Sequence, residues 1–191
     1  MRFKRLVHSL NLLVRGTREK RTRYMKEHNV LGAMGDNCSW GPWLVPVYPK
    51  LIRLHNNVTI HKTVTLIPHD MVNRFLKRGF PDVDFGPDER LGCIEIMDNV
   101  YVANKVIIMP DVRINRNCII SAGSVVTGDI PENSVVAGNP AKVIGRFDTF
   151  VAFRRLYKGQ YVALKNQELP DELALEQWIK FEKKRNKPVD E

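Results

Sequence analysis

Cysteine, long apolar runs and acidic residues near the start are all scarce in this chain of 191 residues. Cys38, Cys93 and Cys118 cannot all pair, so a disulfide framework is excluded and buried free thiols in a reducing compartment are expected. No run approaches the roughly 18 apolar residues of a membrane-crossing helix. Residues 6–14 form a short apolar stretch broken by His8, Ser9 and Asn11, with no cleavage-like pattern after it, which argues against a secretory leader. The cytoplasm, with a peripheral place at the inner membrane face as a variant, is the expected location. There is no phosphate-binding Gly-Lys-Ser loop, no zinc cysteine pair and no nucleophile turn of a Ser-His-Asp enzyme. Acidic residues are sparse at the start: residues 1–28 hold nine Lys/Arg against Glu19 and Glu27, which is +7 of the chain's +9. No aromatic-studded basic face accompanies that charge, so no nucleic-acid partner is expected.

What the chain does have is a period of six. Ile96, Val102, Ile108, Ile114, Ile120 and Val126 fall six apart, and Ile94, Val100, Val106, Val112, Cys118, Ser124 and Ile130 run beside them. Six is even, so on extended backbone both series point to one face; on a helix the same step scatters them over three sides. One strand of this length is untenable. Short strands separated by turns, with one face always inward, make a coiled solenoid, and a hexapeptide period is the signature of a parallel β-helix. Leu54, Ile60 and Leu66 continue the series upstream, after Gly41 to Pro49 slip the register by two. Met34, Cys38 and Trp40 fit a first, irregular pair of hexads.

These residues resemble the hexapeptide-repeat acyltransferases. The run Ile120-Ser-Ala-Gly-Ser-Val-Val-Thr-Gly-Asp-Ile-Pro-Glu-Asn-Ser-Val-Val-Ala-Gly-Asn-Pro-Ala-Lys-Val-Ile144 is similar to the closing coil of the maltose/nodulation-type and xenobiotic-type sugar O-acetyltransferases. The resemblance spans roughly residues 30–150. It implies an all-β solenoid, a left-handed parallel β-helix of triangular section with three hexads per turn. The expected organisation is a basic helical segment over 1–29, the β-helix domain over 30–145 with an inserted loop at 71–92, and C-terminal helices capping the open last coil over 146–191. Within these, residues 2–15 read as an amphipathic helix, Thr17 to His28 as a solvated polar helix, and Phe147–Lys165 and Pro170–Arg185 as two more. The first helix packs on its own solenoid or a neighbouring subunit, or residues 1–16 touch a membrane near a lipid-linked acceptor.

His69 stands where the regular coil breaks into the long loop. Acyl transfer to a hydroxyl needs a base for the hydroxyl proton, and imidazole suits that near neutral pH. Its Ile67-Pro-His-Asp70 context resembles the family's catalytic histidine, with Pro68 where relatives carry Thr. Asp70 is a turn residue, or it orients the imidazole or touches the sugar. His55 and His61 sit in the same slot of consecutive hexads, on different faces, so no metal site is expected. The resemblance implies acetyl-coenzyme A as co-substrate, in a groove between subunits of a homotrimer. It assigns Asn104, Ala122, Gly123 and Thr127 to the donor's arm, and Lys142 with Arg146 to its phosphates; Gly128 stands where relatives often carry a basic residue. The implied reaction moves the acetyl group to a hydroxyl of a sugar or surface polysaccharide. Alternatives are N-acetylation of an amino sugar or antibiotic, and a non-catalytic β-helix assembly subunit.

Overall fold

The computed structural model describes residues 2–158 and 169–185. By its internal contacts the chain divides into Met1–Ala152 and Phe153–Glu191. The first unit opens with helices α1 (Arg2–Val14) and α2 (Arg18–Glu27). Then come β1 (Ala33–Met34), β2 (Ser39–Trp40), β3 (Ile52–Leu54), β4 (Val58–Ile60) and β5 (Thr65–Leu66). An excursion follows, built of β6 (His69–Asp70), α3 (Val72–Gly79) and β7 (Arg90–Leu91). The coil resumes with β8 (Ile94–Ile96), β9 (Val100–Val102), β10 (Ile107–Ile108), β11 (Val112–Ile114), β12 (Cys118–Ile120) and β13 (Val125–Val126). β14 (Ser134–Ala137), β15 (Lys142–Arg146) and α4 (Phe147–Leu156) close it.

The strands form three parallel faces, ordered β1-β3-β8-β11, β2-β4-β9-β12-β14 and β5-β10-β13. Ile96 pairs with Ile114, Val102 with Ile120 and Ile108 with Val126, each a step of 18 residues, so three hexads make one turn. The chain is a three-sided parallel β-helix. Between β1 and β3 the step is 20, from Met34 to Leu54, which is the two-residue slip read from Gly41 to Pro49. Across the excursion Leu54 pairs with Ile96, a step of 42, so 24 residues leave the coil and return in register. One shortening was not legible in the period: Ile114 bridges to Ile130 and Cys118 pairs with Ser134, steps of 16. Two residues are lost at the Thr127–Asp129 corner.

The inward series is the core. Ile94, Ile96, Val102, Val106, Ile108 and Ile114 are fully buried, and Cys118 and Ser124 fill small inward slots. The Ser124 hydroxyl donates to the Ser121 carbonyl at 2.7 Å, so its burial leaves no orphan. Cys93 departs from expectation, since it is exposed while Cys118 is buried and Cys38 half-buried. One corner carries left-handed backbone at Asn57, Asn99 and Asn117, with φ of 55°, 58° and 56°. Asparagine tolerates that conformation and its amide can bond locally. The Asn57 amide donates to Asn99 at 2.8 Å and the Asn99 amide to Asn117 at 3.1 Å, forming a ladder up the corner.

Of the two N-terminal helices, α2 differs from the solvated helix expected. Thr17 caps α2 by accepting from the Lys20 amide, and Arg21, Tyr24 and Met25 are buried against the first coil. α2 therefore covers that end of the solenoid, the edge that would otherwise template further strands. Thr22 Oγ1 accepts from the Trp40 amide at 2.8 Å. α1 is held through its polar side: the His8 ring meets the Tyr24 hydroxyl at 2.8 Å, and Ser9 accepts from the Val45 amide at 3.1 Å. Leu12 is buried, whereas Phe3, Leu6, Val7, Leu10, Leu13 and Val14 are exposed. The apolar stripe faces outward.

The second unit holds the end of α4 and α5 (Asp171–Arg185). Asp171 and Glu172 occupy the first turn of α5 and Lys183, Lys184 and Arg185 the last, matching the helix dipole. Pro170 lies just before the helix, its carbonyl accepting from the Ala174 amide at 3.0 Å. The helix read over Phe147–Lys165 is seen to Leu156, and its part at 159–165 lies outside the described residues.

Candidate functional site

His69 leaves the coil at the corner after β5. The Ile67 amide still bonds to the Ile108 carbonyl, and then β6 pairs antiparallel with β7, His69 opposite Leu91. The imidazole is half-buried, and its Nδ1 is a buried atom without a hydrogen-bond partner among the described residues. Tyr48 stands edge-on to it, ring centroids 5.6 Å apart, and donates its hydroxyl proton to Glu89 Oε2 at 2.6 Å. That bond to Glu89 raises the Tyr48 pKa, which keeps the phenol protonated. Tyr48 has φ of 50°, a strained conformation for a bulky residue and one that concentrates at functional sites.

Asp70 spends one carboxylate oxygen on the Val72 amide at 2.8 Å, starting α3. The excursion is tied to itself. The Asn73 amide donates to the carbonyls of Phe85 and Pro87 at 2.7 and 3.0 Å, and Lys77 pairs with Asp88 at 2.7 Å. Glu89, at its return, reaches Tyr48 and so fixes the ring beside His69.

An open cleft of about 800 Å³ runs along the third face toward His69, with Lys62 to Ile67 as its floor. Its walls come from α1 and from the Pro42 to Val47 segment. Lys62 lies over the Trp43 ring, 3.9 Å from the centroid. At the far corner of the same face stand Asn104 and, 18 residues on, Ala122. Asn104 Oδ1 accepts from the Thr63 hydroxyl at 3.2 Å, and the Gly123 amide bonds to the Asn104 carbonyl at 3.0 Å. Gly123 has φ of 76°, and a Cβ there would meet no atom within 4 Å. The backbone at Ala122–Gly123 is thus an open ledge on which a ligand can lie close.

The sequence candidates therefore gather at two corners of the third face. Asn104, Ala122 and Gly123 share one, while His69 and exposed Thr127 lie at the other. Lys142 opens β15, exposed and without an ion pair among the described residues. Arg146 is held by Asp148, with bonds of 3.1 and 2.6 Å, which raises its own pKa and pushes that of Asp148 far down. His55 and His61 are engaged separately, His55 with Glu95 at 3.2 Å and His61 beside Tyr101 at 4.9 Å. Tyr48, Glu89 and the Trp43 wall were not anticipated. The one signal was Tyr48 itself, set before a proline where the register slips.

Residues 94–128 match the family described as bacterial transferase hexapeptide (six repeats). A Saccharomyces cerevisiae protein named "Putative acetyltransferase YJL218W" is 57% identical over 51 residues, 27% of this chain and 26% of that one. A Schizosaccharomyces pombe protein of like name is 36% identical over 98 residues, 51% of this chain and 44% of that one. The matches thus span less than half the length of these relatives. Among solved structures, a galactoside acetyltransferase in complex with coenzyme A is 25% identical, with a TM-score of 0.55, over 87% of this chain and 88% of that one. A maltose O-acetyltransferase from Clostridium difficile shares the fold at 23% identity and a TM-score of 0.52, over 74% of this chain and 85% of that one.

Proposed function

We propose that this protein is an acetyl-coenzyme A-dependent O-acetyltransferase acting on a hydroxyl of a sugar or surface polysaccharide. The observation that carries the reading is His69, an imidazole with a buried, unpartnered Nδ1 at the end of an open cleft. A buried polar atom left unpaired costs about 1–3 kcal/mol, which a bound acceptor or a neighbouring protomer can relieve. The match to the transferase hexapeptide repeat and the likeness to a coenzyme A-bound acetyltransferase support acetyl-coenzyme A as the donor.

Acetyl-coenzyme A would supply the acetyl group as an activated thioester. The open ledge at Ala122–Gly123 fits an extended arm beside Asn104, Thr127 would meet that arm from the other corner, and Lys142 with Arg146 would face the phosphates. His69 takes the proton of the acceptor hydroxyl as its oxygen bonds to the acetyl carbonyl carbon. It then gives that proton to the departing thiolate. Asp70 keeps the turn that aims the imidazole. The β-helix is taken as left-handed, after the family.

The split of the candidates between two corners supports a homotrimer, in which one protomer's His69 meets a neighbour's Ala122 ledge. A place in the cytoplasm, with residues 1–16 touching the membrane, fits the outward stripe of α1. The test is release of free coenzyme A from acetyl-coenzyme A in the presence of a panel of sugars. Release with at least one sugar hydroxyl is expected. A protein that neither binds acetyl-coenzyme A nor releases coenzyme A with any sugar would be an assembly subunit instead.

A further inference from the structure

The cleft at His69, about 800 Å³, has room for more than a sugar ring, and most of its lining is apolar. Leu6, Trp43, Leu44, Val47 and Leu66 line it, and the cations Arg5 and Lys62 stand among them with Thr63 and Thr65. Its rim is also apolar and exposed: Leu6 is 56% exposed, Trp43 42% and Leu44 66%. A contiguous apolar surface open to water marks a binding site.

Leu6 belongs to two surfaces at once, the cleft wall and the outward stripe of α1. The helix is attached through His8, Ser9 and Leu12, so the apolar side is the one left free. α1 contains no acidic residue, and Lys4 is exposed beside the stripe. Thr17 to Lys26 adds Arg18, Lys20 and Arg23, none in an ion pair among the described residues. An apolar helical stripe with cationic flanks suits the interface of an anionic bilayer.

We infer that the cleft takes the apolar chain of an amphiphilic acceptor, drawn from an anionic lipid surface on which α1 lies. This rests on the reading of the His69 cleft as the acceptor's place, and it names the acceptor's class. The hydrocarbon follows the Leu6–Leu44 rim, and the hydroxyl-bearing head reaches His69.

Binding and flotation test it without turnover. Octyl glucoside, kept below its micellar concentration, should change the tryptophan fluorescence of the full chain, and methyl glucoside should not. Leu44→Asp, on the exposed rim, should weaken octyl glucoside binding at least tenfold. The protein should float with vesicles containing phosphatidylglycerol but not with pure phosphatidylcholine, and Leu10→Asp should abolish flotation with its melting temperature and oligomeric state unchanged. Equal binding of the two glucosides, no flotation, or dissociation of a folded Leu10→Asp oligomer would overturn the inference. Dissociation would make the stripe a subunit interface. If the amphiphile binds and the vesicles are held while neither the sugars nor octyl glucoside yields free coenzyme A, the acetyl-transfer reading has failed and with it the acceptor role, leaving the cleft an amphiphile-binding site; if the transfer occurs but the two glucosides bind equally, only this inference fails.

Discussion

At the scale of single residues, the account separates a proton acceptor from a donor anchor. His69→Ala should lower kcat by roughly 10²–10⁴-fold, the usual contribution of a positioned base, and leave the KM for acetyl-coenzyme A nearly unchanged. Lys142→Ala should do the reverse, raising that KM with little change in kcat, as loss of uniform binding does. Steady-state kinetics of both, with thermal melting to confirm folding, checks the pair. His8 and His61 give a second handle. Burial first, and then His28 near His8 and Arg18 near His61, hold both imidazoles below their ordinary 6.5. The fold therefore favours their neutral forms. That stability is complete above the unfolded value and is lost as pH falls through it, when the unfolded chain binds protons first. The melting temperature should drop between about pH 7.5 and 5.5, and the drop should be shallower in His8→Gln. A flat profile would contradict this assignment.

At the scale of elements, the hexad series alone specified which residues point inward, because an even period has one consistent solution on extended backbone. The two-residue slip before Pro49 and the excursion after His69 were legible as breaks in that period. Two things were not. The lost pair at Thr127–Asp129 is invisible because Val126 and Ile130 still read as members of their separate series. The orientation of α1 is invisible because an apolar stripe states that a partner exists and not which one. His69 was legible from its place at the exit of the coil. Tyr48 and Glu89 were not, since only the folded excursion brings them together across 41 residues. The asparagine ladder predicts a measurable asymmetry. Asn99→Ala loses two ladder bonds and also puts alanine at positive φ, which should cost about 2–4 kcal/mol. Asn99→Gly loses the same bonds without the conformational strain and should unfold at higher denaturant than Asn99→Ala. The opposite order would mean that side-chain packing, not backbone hand, sets the corner.

At the scale of the whole molecule, the coil is a scaffold whose third face carries the open Ala122–Gly123 ledge, the proposed donor site, at one corner and His69 at the other. On the proposed reading a rigid β-helix cannot fold those corners together, and a second copy would have to bridge them. Sedimentation should find a trimer, and dilution to monomers should abolish activity. Complementation between two disabled variants tests that claim most directly. His69→Ala removes the base, and Ala122→Trp fills the donor ledge; each alone should be inactive. Unfolded and refolded together, or co-expressed, they form mixed trimers in which some interfaces pair an intact His69 with an intact ledge. The account predicts that coenzyme A release returns in the mixture, to a sizeable fraction of the wild-type rate. A well-folded mixed trimer with no activity above its two parents would show that each protomer holds a complete site of its own, and would contradict the account.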